Sequence, residues 1–484
     1  MSLYRRVING LRYSGNIRSG HGEQNTLDID YLSPHKIGVV TMHLKKLEMR
    51  NLYGTLDKVV NFNQDLNLLV GINGSGKTSV LNIIDWLLSP NLQKMCVTPF
   101  DKLTLTFSYD RSIYTIEAVQ KGLNFSLNLK KSGKNLYAPI KVKLQRNPLK
   151  IDPSEVDSWL ERYEGLKPET SELPLWSFMS KLPKPVVIAL DRSISAEVNN
   201  RVYMDIEPRV AAWGRKNIRN ISPLDKVREV TSSNFNTYRF TVAALNERLK
   251  ARIVMSALRV PETGQNAAKI KVKTDKDIDQ LEQKVISYLS ASIRDIDVIK
   301  PIKSFFKRSK ALTQTSVSSE TVQQGLFSTF YANQLMQIDE MAQAFNEFET
   351  NSANAYEKLK SYLDTVNLFL ADSKKKIIFS QPSNILSFYA INEAGSLDSE
   401  AHPIDHLSSG EKQILILFTF LAFVAEDNRI FIVDEPELSL HPKWQSEFTQ
   451  SFLRLKPKLT QLLLATHSPE IVGNHKSDCV VLLP

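Results

Sequence analysis

Gly71-Ile72-Asn73-Gly74-Ser75-Gly76-Lys77-Thr78 matches the pattern G-x-x-x-x-G-K-[ST], and its flanks decide how it is read. Apolar Leu66 to Val70 precedes it and a helical pattern from Val80 to Leu88 follows, the strand–loop–helix setting in which such a loop wraps a phosphate. The glycines let backbone N–H groups turn inward, and the helix N-terminus behind them favours negative charge. Asn73, Gly74, Ser75, Gly76, Lys77, Thr78 and Ser79 are therefore the candidate ATP-binding residues. In this reading Lys77 reaches the β and γ phosphates and the Thr78 hydroxyl holds Mg²⁺. A glycine-rich turn is the plain alternative for one such match taken alone.

Two further stretches answer that alternative. Ile430 to Val433 is a continuous apolar run ending in Asp434 and Glu435, the pattern of a buried parallel strand that delivers carboxylates to the carboxyl edge of a sheet. Asp434 completes the Mg²⁺ shell, and Glu435 is the general base that activates water. Leu462 to Ala465 is another apolar strand and ends in Thr466-His467-Ser468, which places His467 beside the γ phosphate. A lysine inside a glycine loop and a carboxylate ending an apolar strand are costly unless they serve a ligand.

Together with Leu407-Ser408-Ser409-Gly410-Glu411-Lys412-Gln413, these motifs resemble the ABC-type ATPase heads of the RecF and structural-maintenance (SMC) group. The resemblance implies an α/β fold: a P-loop ABC-type head, mixed in its sheet and carrying an antiparallel β-lobe. It implies that Ser408, Ser409, Gly410 and Glu411 form a signature acting in trans on the partner subunit's ATP, so that heads pair head to tail in a homo-oligomer. Glu437 to Pro442 resembles the D-loop, represented by Ser439, and His441 belongs to that stretch rather than to a metal site. Ser409 stands where glycine is usual and Glu411 where transporters carry glutamine, which points away from transporters. The glutamine that links the β-lobe to Mg²⁺ in such heads has one candidate, Gln120.

A narrower likeness lies in Asp434-Glu435-Pro436-Glu437-Leu438-Ser439-Leu440-His441-Pro442-Lys443-Trp444-Gln445 and Ala465-Thr466-His467-Ser468-Pro469-Glu470-Ile471. These runs are similar to the overcoming-lysogenization-defect (OLD) family, especially the standalone ATPase subunits of two-component anti-phage systems such as Septu, PARIS and retron cassettes. The similarity covers the head segments well and the middle poorly. It implies a sensor ATPase, triggered by DNA or a phage protein, that regulates a separate HNH or Toprim effector nuclease. OLD proteins proper continue into a Toprim domain, whereas this chain ends at Pro484 just after the last head strand, so the nuclease is expected on another polypeptide. The competing reading is a RecF-like DNA-repair ATPase whose basic insertion binds DNA directly.

With 484 residues, 42% hydrophobic and 23% charged, the chain is long enough for two or three domains. No window approaches 18 uninterrupted apolar residues and Met1-Ser2-Leu3-Tyr4-Arg5-Arg6 lacks a signal-peptide core, so a membrane partner is not expected. Cys96 and Cys479 alone make no disulfide framework, which fits a cytoplasmic home. The net charge of +9 is uneven: residues 250–310 hold fourteen Lys or Arg against seven Asp or Glu. That cluster, with Lys269, Lys271, Lys273, Lys276, Lys300, Lys303, Lys307, Arg308 and Lys310, could meet DNA, an acidic partner, or only solvent.

The order of patterns suggests a split head. Residues 1–40 read as a basic extension, 41–192 as the first half of the head, 193–372 as a mainly helical insertion and 373–484 as the second half. Lys102 to Tyr109, Ser112 to Val119 and Asn124 to Leu129 alternate apolar and polar residues as an antiparallel sheet does. Leu335, Ile338, Ala342 and Phe345, then Tyr356, Leu359, Leu363, Val366 and Leu370, recur at helical spacing. Their register breaks near Glu349 to Ala353, which argues against a long coiled coil.

Overall fold

The computed structural model describes residues 41–188, 194–195, 222–257, 275–292, 302–308, 322–380, 384–393, 395–425 and 429–483. The basic extension 1–40 lies outside them, as do Lys269, Lys271, Lys273, Lys300 and Lys310 of the basic cluster.

Alternating patterns build the first sheet. β1 (Met42–Leu52) and β2 (Leu56–Asn61) pair antiparallel, and β3 (Leu66–Val70) leaves them for a second sheet. β4 (Lys102–Tyr109), β5 (Ser112–Lys121), β6 (Asn124–Lys131), β7 (Lys134–Asn135) and β8 (Ile140–Lys143) return to the first. Its order is β2-β1-β4-β5-β6-β7, with β8 on β6, and every pairing is antiparallel. Leu103, Leu105, Phe107, Ile116, Ala118, Leu127 and Leu129 point inward from it, as the period of two requires.

The second sheet takes strands from both ends of the chain. β9 (Val186–Ile188) and β10 (Ile194–Ser195) form its edge, while β11 (Lys375–Ser380), β12 (Ile385–Ala390) and β13 (His402–Pro403) make a separate small antiparallel sheet. With β14 (Ile430–Asp434), β15 (Gln461–Thr466) and β16 (Cys479–Val481) the order is β10-β9-β14-β15-β3-β16, parallel throughout except at β10. The architecture is thus the expected α/β one, with a mixed sheet, an antiparallel sheet and helical segments.

The apolar runs are continuous because both faces of this sheet are covered. Leu69, Ile430, Ile432, Leu463 and Ala465 pack toward the antiparallel sheet and α1 (Lys77–Leu88). The alternate residues Leu66, Leu68, Phe431, Val433, Leu462 and Leu464 pack in the other core. Gln461 joins the two sheets: its buried carboxamide bonds the backbone of Leu44 on both sides and the Asn63 carbonyl.

α2 (Leu92–Val97), α3 (Val156–Arg162) and α4 (Leu173–Lys181) complete the first core, where Cys96 is buried and its thiol is pushed up to about 12 by burial, as suits a packing residue. α5 (Pro223–Ala257) and α6 (Asp275–Ser292) follow, then α7 over residues 302–308 and α8 (Val322–Leu370). α9 (Ser409–Phe423), α10 (Pro442–Leu455) and α11 (Pro469–Val472) belong to the C-terminal part.

α5 and α8 lie antiparallel. Tyr238 meets Tyr356, Arg252 bridges Glu347, and Ser256 donates to the Gln337 carbonyl. α8 is one helix of 49 residues, roughly 70 Å at 1.5 Å per residue. The register break at Glu349 to Ala353 therefore does not interrupt the helix itself. Most side chains of residues 349–354 are exposed, so this turn stays helical without burying a core. Leu335, Ala342, Leu359, Leu363, Val366 and Leu370 are buried as their spacing predicts. The foot of α8 enters the second core, where Tyr362 donates to or accepts from Thr419 at 2.8 Å and Phe369 meets Phe418.

Candidate functional site

Register explains why the candidate residues meet. Asp434 pairs with Ala465, and Ala465 with Leu69, so β14, β15 and β3 end level with one another. Asp434 and Glu435, His467 and the loop after Val70 therefore leave the sheet at one edge.

The loop has the conformation its glycines allow. Gly74 and Gly76 adopt φ of 81° and 90°, and a Cβ on Gly76 would meet Leu56 at 2.9 Å. A Cβ on Gly71 would stand 2.5 Å from Ser75 Oγ and 2.6 Å from the Leu482 carbonyl oxygen. α1 starts at Lys77 with Gly76 as its N-cap and no side-chain cap, which leaves its first N–H groups for an anion. Asn73, Gly74 and Thr78 are exposed, Ser79 is half-buried, and the buried Ser75 hydroxyl has no partner.

Lys77 Nζ donates to the carbonyls of Gly71 (3.0 Å) and Ile72 (3.2 Å) and lies 3.5 Å from His467 Nδ1. Burial pushes the ammonium down from its usual value, against the opposing pull of Glu435, Asp434 and Glu437. Thr78 Oγ1 donates to Asp434 Oδ2 at 2.8 Å, while Asp434 Oδ1 is buried and unpartnered. Burial raises the Asp434 carboxyl, partly offset by the Thr78 bond. Glu435 Oε1 is 4.0 Å from His467 Nε2.

Glu435 and Ser439 have φ of 50° and 64°, left-handed values that cost a non-glycine residue about 1–3 kcal/mol. The fold imposes these conformations on the turn after β14, where Glu435 N–H donates to the Ala465 carbonyl.

The stretch opening at Ser408 forms a second group. Ser408 caps α9, accepting from the Glu411 N–H at 3.3 Å while its own N–H donates to Glu411 Oε2 at 2.7 Å. This is a capping box. Ser408 and Ser409 are exposed at the helix start. Gly410 is buried against the turn after β14: a Cβ there would lie 2.5 Å from the Ser439 carbonyl oxygen.

Sequence reasoning missed what holds this group. Lys375 Nζ bonds both Glu411 oxygens, at 3.0 and 2.9 Å. Asp372 accepts from Lys443 Nζ at 2.7 Å and from Trp444 Nε1 at 3.0 Å, and Phe369 meets the Trp444 ring edge-on. The segment leaving α8 is thereby bonded to the starts of both α9 and α10. Charged residues at a helix exit were the only available signal, and they carry no pairing information.

Gln120 is otherwise engaged. Its carboxamide accepts from Phe100 N–H and donates to the Met95 and Thr98 carbonyls, so it would have to release three bonds to serve a metal. His441 is the N-cap of α10, accepting from Lys443 N–H.

Among the described residues no group of three or more His, Cys, Asp or Glu side chains is placed to hold a metal ion. Thr78 with the unpartnered Asp434 oxygen nevertheless fits Mg²⁺, which takes one or two protein groups and fills its shell with waters and phosphate oxygens. No helix of the described residues is long and apolar enough to cross a membrane.

The sequence pattern of the AAA ATPase domain family matches residues 42–472. Among solved structures, the Smc head domain with an extended coiled coil from Pyrococcus furiosus, bound to the C-terminal domain of ScpA, is 13% identical, with 91% of this chain and 93% of that chain covered at a TM-score of 0.36. The Smc head domain with a coiled coil and joint from Pyrococcus yayanosii is 15% identical, with 88% and 92% covered at a TM-score of 0.30.

Proposed function

The chain belongs to the AAA ATPase domain family, and on that footing we propose that it binds and hydrolyses ATP with Mg²⁺ at the loop Gly71 to Thr78 and uses the cycle to control a separate effector nuclease in anti-phage defence. The observation that carries the nucleotide part is the 2.8 Å bond from Thr78 to Asp434 beside a buried, unpartnered Asp434 oxygen. Bound there, Mg²⁺ supplies positive charge against the phosphate oxygens. Lys77 exchanges its loop carbonyls for phosphate oxygens, His467 holds the terminal phosphate, and Glu435 accepts a proton from the attacking water. Two heads pair head to tail, with Ser408 and Gly410 of one meeting the nucleotide of the other.

Lys77→Ala is expected to lose ATP binding. Glu435→Gln is expected to keep binding while turnover falls by about 10² to 10⁴, the usual contribution of a general base. Unchanged turnover in Glu435→Gln would sink the base assignment.

The defence role is supported by the two OLD-like runs, which interlock physically. Ser468 Oγ donates to Gln445 Oε1 at 2.6 Å and the His467 N–H to Glu437 Oε1 at 2.7 Å. A DNA-repair role of RecF type is favoured by a different observation, the uninterrupted arm of α5 and α8. Purifying the chain with the product of a neighbouring nuclease gene and weighing the complex separates the two. A stable complex supports defence, whereas no complex together with tight DNA binding supports repair.

A further inference from the structure

Glu437 is a carboxylate at the nucleotide edge to which the proposed ATP cycle gives no task. It lies in the turn after β14, two residues beyond Glu435 and two before Ser439. Its Oε1 accepts the backbone N–H of His467 at 2.7 Å, so the turn after one strand holds the first residue beyond the next. That length is typical of a bond strengthened by an ionised acceptor.

The other oxygen, Oε2, is buried and has no hydrogen-bond partner. A purely structural anchor would satisfy both oxygens, because a buried unpaired carboxylate oxygen is costly. The residue it holds, His467, has its Nδ1 3.5 Å from Lys77 Nζ, and the Glu437 charge is felt at both Lys77 and Asp434. The turn itself is stiff: Leu438 N–H donates to the Glu435 carbonyl and Leu440 N–H to the Glu437 carbonyl. Ser439, inside that turn, is the residue whose carbonyl meets Gly410.

We propose that Glu437 is a positioning residue: through the His467 backbone it fixes the imidazole at the terminal phosphate, and so sets the preference for ATP over ADP. This rests on the reading of His467 as the γ-phosphate residue. The stiff turn gives the same carboxylate a mechanical link to the contact between Ser439 and Gly410, so the position of His467 and that of the signature helix are set together.

The test compares the affinities of the full-length chain for fluorescent ATP and ADP analogues with Mg²⁺ present. Glu437→Ala and Glu437→Asp, the latter one methylene short of the His467 N–H, are each expected to lower the ATP-to-ADP preference roughly tenfold, the scale of one charge-assisted hydrogen bond removed. ADP affinity should stay within about twofold, since the diphosphate does not reach His467. Glu437→Gln keeps an acceptor for the N–H and should restore most of the preference. Should Glu437→Ala fail to fold, Glu437→Asp carries the comparison. His467→Ala is measured alongside. If it keeps the preference, the γ-phosphate reading of His467 falls and the positioning role falls with it. If it loses the preference while the Glu437 variants keep theirs, or lose ATP and ADP affinity equally, or if Glu437→Gln is as impaired as Glu437→Ala, the positioning role is overturned.

Discussion

Lys375 Nζ lies within 3.0 Å of both carboxylate oxygens of Glu411, which ties the strand leaving the long helix α8 to the capping box that opens α9. The Glu411 side chain is only 3% exposed, so its charge depends on that partner. Lys375→Met should destabilise the fold by about 3 kcal/mol, as removal of one member of a buried pair does, and urea unfolding would measure it. Burial opposes ionisation of Glu411, but Ser373, Lys375 and the Ser408 N–H outweigh it and hold the carboxyl below its usual 4.5. A depressed acid stabilises above its unfolded value, so this contribution should persist at neutral pH and disappear only as pH falls below 4.5. An unfolding midpoint unaffected by Lys375→Met would show the pair to be ornamental.

Asp434 has the opposite sign. Burial raises its carboxyl above 3.8, so the ionised form costs stability, and that cost grows as pH rises through the folded value. Asp434→Asn should therefore stabilise the nucleotide-free chain by about 1 kcal/mol at neutral pH, the scale of a relieved unpaired charged group. The same variant should lose the added stability that Mg²⁺ with ATP gives the parent. Thermal unfolding with and without nucleotide reads both. A variant that is less stable without ligand would mean that the Thr78 bond outweighs burial.

Much of this arrangement was legible in the sequence because it is local. Leu66 to Val70 forms β3 as read, and the alternating runs from Lys102 to Leu129 form β4, β5 and β6 with ends shifted by no more than two residues. Lys77, Thr78, Asp434, Glu435 and His467 converge because each sits at the end of a buried strand, just after one, or in the first turn of the helix that follows β3. What was not legible depends on pairings between distant segments. Lys375 with Glu411, Asp372 with Trp444, and Glu437 with the His467 backbone have no spacing rule to announce them. The continuity of α8 was not legible for a different reason: a break in apolar register reports missing burial, and helix continuity does not require burial at every turn.

Gly410 tests the proposed pairing of heads, because within its own head it packs on the Ser439 carbonyl and not on the Gly71 to Thr78 loop. A Cβ there would press on the Ser439 carbonyl at 2.5 Å, so Gly410→Ala must push the turn that holds Ser439 away. ATP affinity of the separate heads should remain, while ATP-dependent pairing and turnover should fall at least tenfold, the cost of about 1.4 kcal/mol in placement. Ser408→Arg should behave alike. Light scattering with ATP reports the pairing, and parent-like pairing in both variants would remove the trans role of this stretch.

The basic cluster divides the two functional readings. Within the described residues Lys303, Lys307 and Arg308 are exposed on α7, while Phe306 is buried with Ile278, Leu281 and Leu335 and stacks edge-on with Phe305. Phe306 is therefore occupied as a core residue, which weakens the case for a single-strand stacking platform. Lys303→Glu combined with Lys307→Glu should leave ATP affinity within about twofold, because neither residue belongs to the nucleotide edge. If the cluster docks a protein effector, the same change should break that complex and leave DNA affinity as it was. If it meets duplex DNA, binding should weaken and its salt slope should shrink by about 1.8, close to 0.9 for each phosphate no longer neutralised. We expect the protein complex to be broken, since Asp277, Asp279 and Glu282 interleave with the lysines on the adjoining helix and would repel a phosphate backbone. A salt slope reduced by that amount would decide for DNA instead.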